Sequence, residues 1–146
     1  MSATRKGLVL IVTHDPVLTR RVSSELAAQG FDVAEAIDSR DALAALQRRT
    51  PQLVLVDLSL PRESGFEVCE DVRALPACID VQIVVLSDRW SPLDLAAAEE
   101  AGANAFMRKP LDVTSLAHCM VSMLERRVPS RSDFRSLRPS DSPSAL

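Results

Sequence analysis

Asp57, Ser87 and Lys109 are the side chains of this sequence best suited to chemistry by type and position. Each ends or follows a short, mostly apolar strand-like segment: Leu53-Val54-Leu55-Val56 before Asp57, Val81 to Leu86 before Ser87, and Ala105-Phe106-Met107-Arg108 before Lys109. A carboxylate, a hydroxyl and an ammonium delivered from three separate strand ends suit covalent capture of a phosphoryl group. The carboxylate can attack phosphorus, the ammonium can balance charge on the phosphoryl oxygens, and the hydroxyl can hydrogen-bond one of them. A lone Asp at a strand end is ordinarily a helix cap. Three such residues at three strand ends have no such simple account.

The elements that must position them alternate along the chain. Gly7-Leu8-Val9-Leu10-Ile11-Val12 reads as a strand buried on both faces. Asp15-Pro16 supplies a cap and a first-turn proline for a helix with Leu18, Val22 and Leu26 at helical spacing, stopped near Gly30. Asp32 to Ala36 is short and polar, which places it at a sheet edge. Asp38 or Ser39 caps a second helix, and Leu53 to Asp57 forms a central strand. Gly65 opens a third helix that Pro76 ends, and Val81 to Leu86 is the fourth strand. Pro92 starts an Ala-rich helix ending at Ala101-Gly102, Ala105 to Arg108 is the fifth strand, and the last helix begins near Val113. Five strand–helix units with short loops predict an α/β fold, a five-stranded parallel sheet wound with helices on both faces. In such a sheet the functional crevice lies at the carboxyl ends of the strands, where the three residues gather.

Composition narrows the function. Of 146 residues 47% are apolar and only 3% aromatic, so the core is built of Leu, Val, Ile and Ala. Three cysteines, Cys69, Cys78 and Cys119, have no paired spacing and predict buried thiols in a reducing compartment. With no membrane-length apolar run and no signal-peptide core, the expected location is the cytoplasm. The net charge of −3 divides unevenly: residues 1–125 hold 12 Lys and Arg against 18 Asp and Glu, while 126–146 hold five Arg against two Asp. An acidic body argues against nucleic-acid binding. We expect a flexible N-terminus over 1–6, one folded domain over 7–126, and a Ser/Pro/Arg-rich disordered tail over 127–146.

Val54-Leu55-Val56-Asp57-Leu58-Ser59-Leu60-Pro61 with Gly65, Val84-Val85-Leu86-Ser87, and Ala101-Gly102-Ala103-Asn104-Ala105-Phe106-Met107-Arg108-Lys109-Pro110 together resemble the receiver domains of bacterial response regulators, over roughly residues 7–125. The resemblance implies a doubly wound, flavodoxin-like (βα)5 sandwich in a two-component phosphorelay. It implies Asp57 as phosphoacceptor, Ser87 and Lys109 as phosphoryl contacts, and Ser87 with Phe106 as the switch pair. It further implies a sensor histidine kinase or phosphotransfer protein as donor and a downstream protein partner.

The chain departs from the family where two acidic residues normally follow the first strand to hold a divalent metal. Thr13 and His14 stand there, and Asp15 reads as a helix cap. With Asp57, and by resemblance the Ser59 backbone carbonyl, as the remaining ligands, magnesium binding is expected to be weak or absent, because magnesium wants several hard oxygens. His14 either fills the vacated space or, protonated, supplies part of the missing charge. Asp88, directly after Ser87, is a second departure: it either repels a phosphate donor or faces solvent.

Two function classes follow: a phosphoaccepting receiver acting through protein contacts as single-domain regulators do, or a degenerate pseudo-receiver, a phosphorylation-independent interaction module. An enzyme is not expected. A nucleotide-binding relative would need a glycine-rich loop after the first strand, and a dehalogenase-type phosphatase would need an Asp where Ser59 stands.

Overall fold

Apolar strands at the centre of a sheet require both faces to be covered, and a computed structural model shows how. It describes residues 6–89, 91–109, 112–126 and 135–137. The strands are β1 (Leu8–Val12), β2 (Asp32–Ala36), β3 (Leu53–Asp57), β4 (Gln82–Ser87) and β5 (Ala105–Arg108). The helices between and after them are α1 (Pro16–Ala28), α2 (Ser39–Arg48), α3 (Gly65–Ala74), α4 (Pro92–Glu100) and α5 (Val113–Arg126). A 3-10 turn, Pro76–Cys78, follows α3 and is the one extra element before β4. All pairings are parallel, in the order β2-β1-β3-β4-β5, which is the doubly wound α/β arrangement expected from the sequence.

Strand periodicity decides which helix covers which face. Val9, Ile11, Leu53, Leu55, Val84 and Leu86 point into one apolar layer with Val22 and Leu26 of α1 and Leu116 and Met120 of α5. The alternate residues Leu10, Val12, Val54, Val56, Ile83 and Val85 pack against Leu46 of α2, Val68 and Val72 of α3, and Ala98 of α4. β2 pairs only with β1, and its residues Asp32, Val33 and Ala34 are half-buried and Glu35 exposed, as its polar sequence requires of an edge. Asp15 caps α1 through its Oδ1, which accepts the N–H of Val17 at 2.9 Å and of Leu18 at 3.2 Å.

Described residues near both ends of the chain reach the folded body. Lys6 donates its N–H to the Gly30 carbonyl at 2.9 Å and lies over the Phe31 ring. A short strand β6 (Arg135–Leu137) pairs in parallel with β5, adding a sixth strand. The reason is the β5 edge, whose unpaired N–H and C=O groups are a template for any nearby extended segment. The rest of the expected tail and residues 1–5 lie outside the described residues, as do Trp90 and Pro110.

A polar knot ties the amino-terminal side of β4 and β5. Arg73 of α3 donates through Nε to the Gly102 carbonyl at 3.0 Å and through Nη2 to Asn104 Oδ1 at 2.8 Å. The same Asn104 oxygen accepts the buried Ile83 N–H at 2.8 Å. Gly102 has φ +103°, and a Cβ there would stand 2.6 Å from Arg73 Cγ, so only glycine lets this helix end meet the arginine.

Candidate functional site

The strand registers carry the site. Val12 pairs with Val56, so the next residues along, Thr13 and Asp57, come side by side at the point where chain order reverses. Asp57 pairs with Leu86, and Ser87 pairs with Arg108, so Ser87 and then Lys109 emerge beside them. Asp57, Ser87 and Lys109 therefore do converge at the carboxyl ends of three strands.

Asp57 is buried, its side chain only 4% exposed, and every lobe of its carboxylate is engaged. Lys109 Nζ lies 2.9 Å from both Oδ1 and Oδ2. The Ser59 N–H donates to Oδ1 at 2.9 Å, and the Thr13 hydroxyl donates to Oδ2 at 2.7 Å. The direction of the Thr13 proton follows from its surroundings. Its oxygen already accepts the Asp15 N–H at 3.1 Å, leaving its single hydrogen for the carboxylate. A buried carboxylate is stable only with such partners. The β3–α3 turn fits closely beneath it: a Cβ on Gly65 would meet the Asp57 carbonyl oxygen at 2.7 Å.

Lys109 is fixed at its base by its own N–H, which donates to the Ser87 carbonyl at 2.7 Å. The Ser87 hydroxyl accepts the Arg89 N–H at 3.1 Å and so shapes the turn after β4. Phe106 is fully buried on β5. Asp88, 62% exposed, sits at the rim: its Oδ1 is 3.6 Å from Lys109 Nζ, and its Oδ2 accepts the Ser59 hydroxyl at 3.1 Å. Sequence reasoning left Asp88 between solvent and site, and the structure puts it in the site. It also missed Thr13 as a hydrogen-bond partner. That contact was readable only from the β1–β3 register, which places residue 13 beside residue 57.

Next to Lys109, on the side of α1 and α5, opens a cavity of about 430 Å³ lined by Leu18, Arg21, Leu86, Asp88 and Val113 among others. His14 is exposed, and among the described residues no hydrogen bond or ion pair joins it to Asp57.

The donor set does not fit magnesium. Thr13 points a proton at Asp57 where a metal would need a lone pair, and Lys109 already covers both carboxylate oxygens. The second carboxylate at the rim, Asp88, is turned to Ser59 and Lys109. Among the described residues no group of three or more His, Cys, Asp or Glu could hold a metal.

Away from the site, burial pushes the Cys69 thiol up to about 12 and raises that of Cys78, the nearby Arg73 charge opposing both. Neither thiol belongs to the strand-end cluster. No helix among the described residues is long and apolar enough to cross a membrane.

Comparison with known proteins identifies the family and the fold. A family described as "Response regulator receiver domain" matches residues 9–120. The chain is 30% identical over 123 residues to the DNA-binding dual master transcriptional regulator RpaA of Synechocystis sp., covering 83% of this chain and 51% of that protein. It is 32% identical over 134 residues to the DNA-binding response regulator MtrA of Mycolicibacterium smegmatis, covering 92% of this chain and 58% of that protein. The chain thus spans about half the length of the curated relatives it matches. Among solved structures, a putative response regulator from Chloroflexus aurantiacus aligns with a TM-score of 0.74 at 27% identity, covering 82% of this chain and 98% of that one. The chemotaxis response regulator CheY4 of Vibrio cholerae aligns with a TM-score of 0.73 at 26% identity, covering 86% of this chain and 100% of that one.

Proposed function

The chain belongs to the response regulator receiver domain family, signalling modules of two-component phosphorelays, and from that premise we propose that Asp57 accepts a phosphoryl group with little or no help from magnesium. One observation carries the reading: Lys109 Nζ stands 2.9 Å from both oxygens of a carboxylate that is itself buried. An ammonium so placed can turn from the carboxylate to the oxygens of an arriving phosphoryl group without leaving the site.

In this reading a carboxylate oxygen of Asp57 bonds to phosphorus as the donor's bond to phosphorus breaks, and the electron pair leaves with the donor atom. Lys109 balances charge on the phosphoryl oxygens, and Ser87 supplies a hydroxyl at the neighbouring strand end. The Thr13 hydroxyl and Ser59 N–H hold the carboxylate while Lys109 turns. Phosphorylation then shifts the population of two states through Ser87 and Phe106, read by a protein partner. The donor is a sensor histidine kinase or phosphotransfer protein, the class of protein with which receiver domains interact. The receiver occupies 7–126 in the cytoplasm. The acidic balance of residues 1–125 makes this part of the chain a protein-binding rather than a nucleic-acid-binding unit, whatever the DNA-binding relatives carry in their remaining half.

The test is incubation with a small phosphodonor such as phosphoramidate, with and without magnesium, followed by intact mass. The expected result is one added phosphoryl group in both buffers, absent from Asp57→Asn. The second reading, a phosphorylation-independent interaction module, is favoured by the complete donor occupancy of Asp57. It becomes the account if no group is added in either buffer.

A further inference from the structure

We propose that Asp88 is a built-in anion that holds the phosphoryl position of the resting site and must swing out before Asp57 is reached. The inference rests on the phosphoacceptor reading of Asp57 and adds its regulation.

The contacts of Asp88 motivate it. A carboxylate that merely faced solvent would have no reason to bridge two loops. Asp88 spans from the Ser59 hydroxyl after β3, at 3.1 Å, to the Lys109 ammonium after β5, at 3.6 Å. These groups flank Asp57: Lys109 is 2.9 Å from both its oxygens, and Ser59 donates its N–H to Oδ1. A phosphoryl group on Asp57 would present oxyanions to the same ammonium. Asp88 already presents one. Three charged side chains share the site, two carboxylates and one ammonium, so it carries a formal −1 before any phosphoryl group arrives. An incoming dianion therefore meets Asp88 as a competitor for Lys109 and as a like charge.

The turn after β4 sets this geometry. The Ser87 hydroxyl accepts the Arg89 N–H at 3.1 Å, which fixes the backbone on either side of residue 88. The Asp57–Leu86 register brings Ser59 to the same rim. The contact is also one that can open. The Asp88 side chain is 62% exposed, and an ion pair in that setting is weakly held and screened by salt. It works as a gate rather than a lock. When Asp88 leaves, Ser59 and Lys109 lose the same partner together, which couples the loops after β3 and β5.

The experiment uses the full chain and beryllofluoride, a tetrahedral anion that mimics an acyl phosphate, followed by fluorine NMR of the protein-bound species. Magnesium is held at one fixed concentration throughout, so the metal is never the variable. Wild type, Asp88→Asn, Asp88→Ala and Asp57→Asn are titrated at low and high salt. Removing a unit like charge about 4 Å away, even at the dielectric of water, tightens anion binding about fivefold. Both Asp88 variants are expected to bind at least that much more tightly than wild type at low salt, by a margin that narrows at high salt, while Asp57→Asn shows no bound signal. Equal or weaker binding by the Asp88 variants overturns the gate and leaves the Asp57 reading standing. No bound signal in wild type or either Asp88 variant overturns both together.

Discussion

Replacing Thr13 by Val isolates the contact that stands where the family places its metal-binding acids. Valine has nearly the shape of threonine, and residue 13 is 2% exposed, so packing is kept while one hydroxyl is deleted. What is lost is the 2.7 Å hydrogen bond to Asp57 Oδ2. The Asp15 N–H loses its acceptor as well, but Asp15 is exposed and water takes the place of the hydroxyl. A hydrogen bond to a charged group contributes about 1.5–3 kcal/mol, a neutral one about 0.5–1.5 kcal/mol. Thr13→Val alone should therefore cost about 2 kcal/mol, or about 8 °C in Tm for a domain of this size. In an Asp57→Asn background the acceptor is neutral, and the same substitution should cost about 1 kcal/mol less. Urea unfolding of the four proteins, with equal m-values required, gives the coupling as a double-mutant cycle. A coupling below about 0.3 kcal/mol, the level at which independent sites add, would refute the assignment of the Thr13 proton to Asp57.

Thr13→Asp should lower Tm in the absence of metal, because a third carboxylate then joins Asp57 and Asp88 around one ammonium. It should also make Tm rise with magnesium, by about 2.7 kcal/mol of stability at a hundred times Kd; a wild type that responds to magnesium as strongly contradicts the donor-set argument. Asn104→Ala takes the acceptor from the buried Ile83 N–H, removes one Arg73 hydrogen bond, and should cost about 2–4 kcal/mol in chemical unfolding. Asn104→Asp keeps the acceptor oxygen and should cost far less; equal losses for the two would show that the oxygen is not the reason. Cys69, raised to about 12, should resist iodoacetamide in the native state while half-buried Cys119 reacts, as mapped by peptide mass after timed quenching. The sign for stability follows: the unfolded thiol loses its proton above its ordinary 9.0 and the folded one does not, so the Cys69 contribution falls as pH rises from 9.0 toward about 12. Native Cys69 reacting as fast as Cys119 near neutral pH would overturn its burial.

By itself the sequence determined the alternation of elements, because the signals are local. An apolar run such as Leu53 to Val56 has no amphipathic reading and must be buried on both faces. Asp15-Pro16 caps and starts a helix through contacts two and three residues away. The motif order around Asp57, Ser87 and Lys109 determined the family, and the rule of strand carboxyl ends then placed those residues in one crevice. What only the tertiary structure decided lies between segments distant in sequence. Thr13 meets Asp57 across 44 residues and Ser59 meets Asp88 across 29, and no periodicity carries such a pairing. The Arg73–Asn104 knot spans 31 residues and has no local signature at all. β6 escaped a compositional reading because Arg135–Leu137 gains its strand character from the open edge of β5, not from its own residues. Local chemistry settles what each segment becomes. Register settles which side chains meet, and at this site the meeting of Thr13, Asp57, Lys109 and Asp88 sets the charge that a phosphoryl group would encounter.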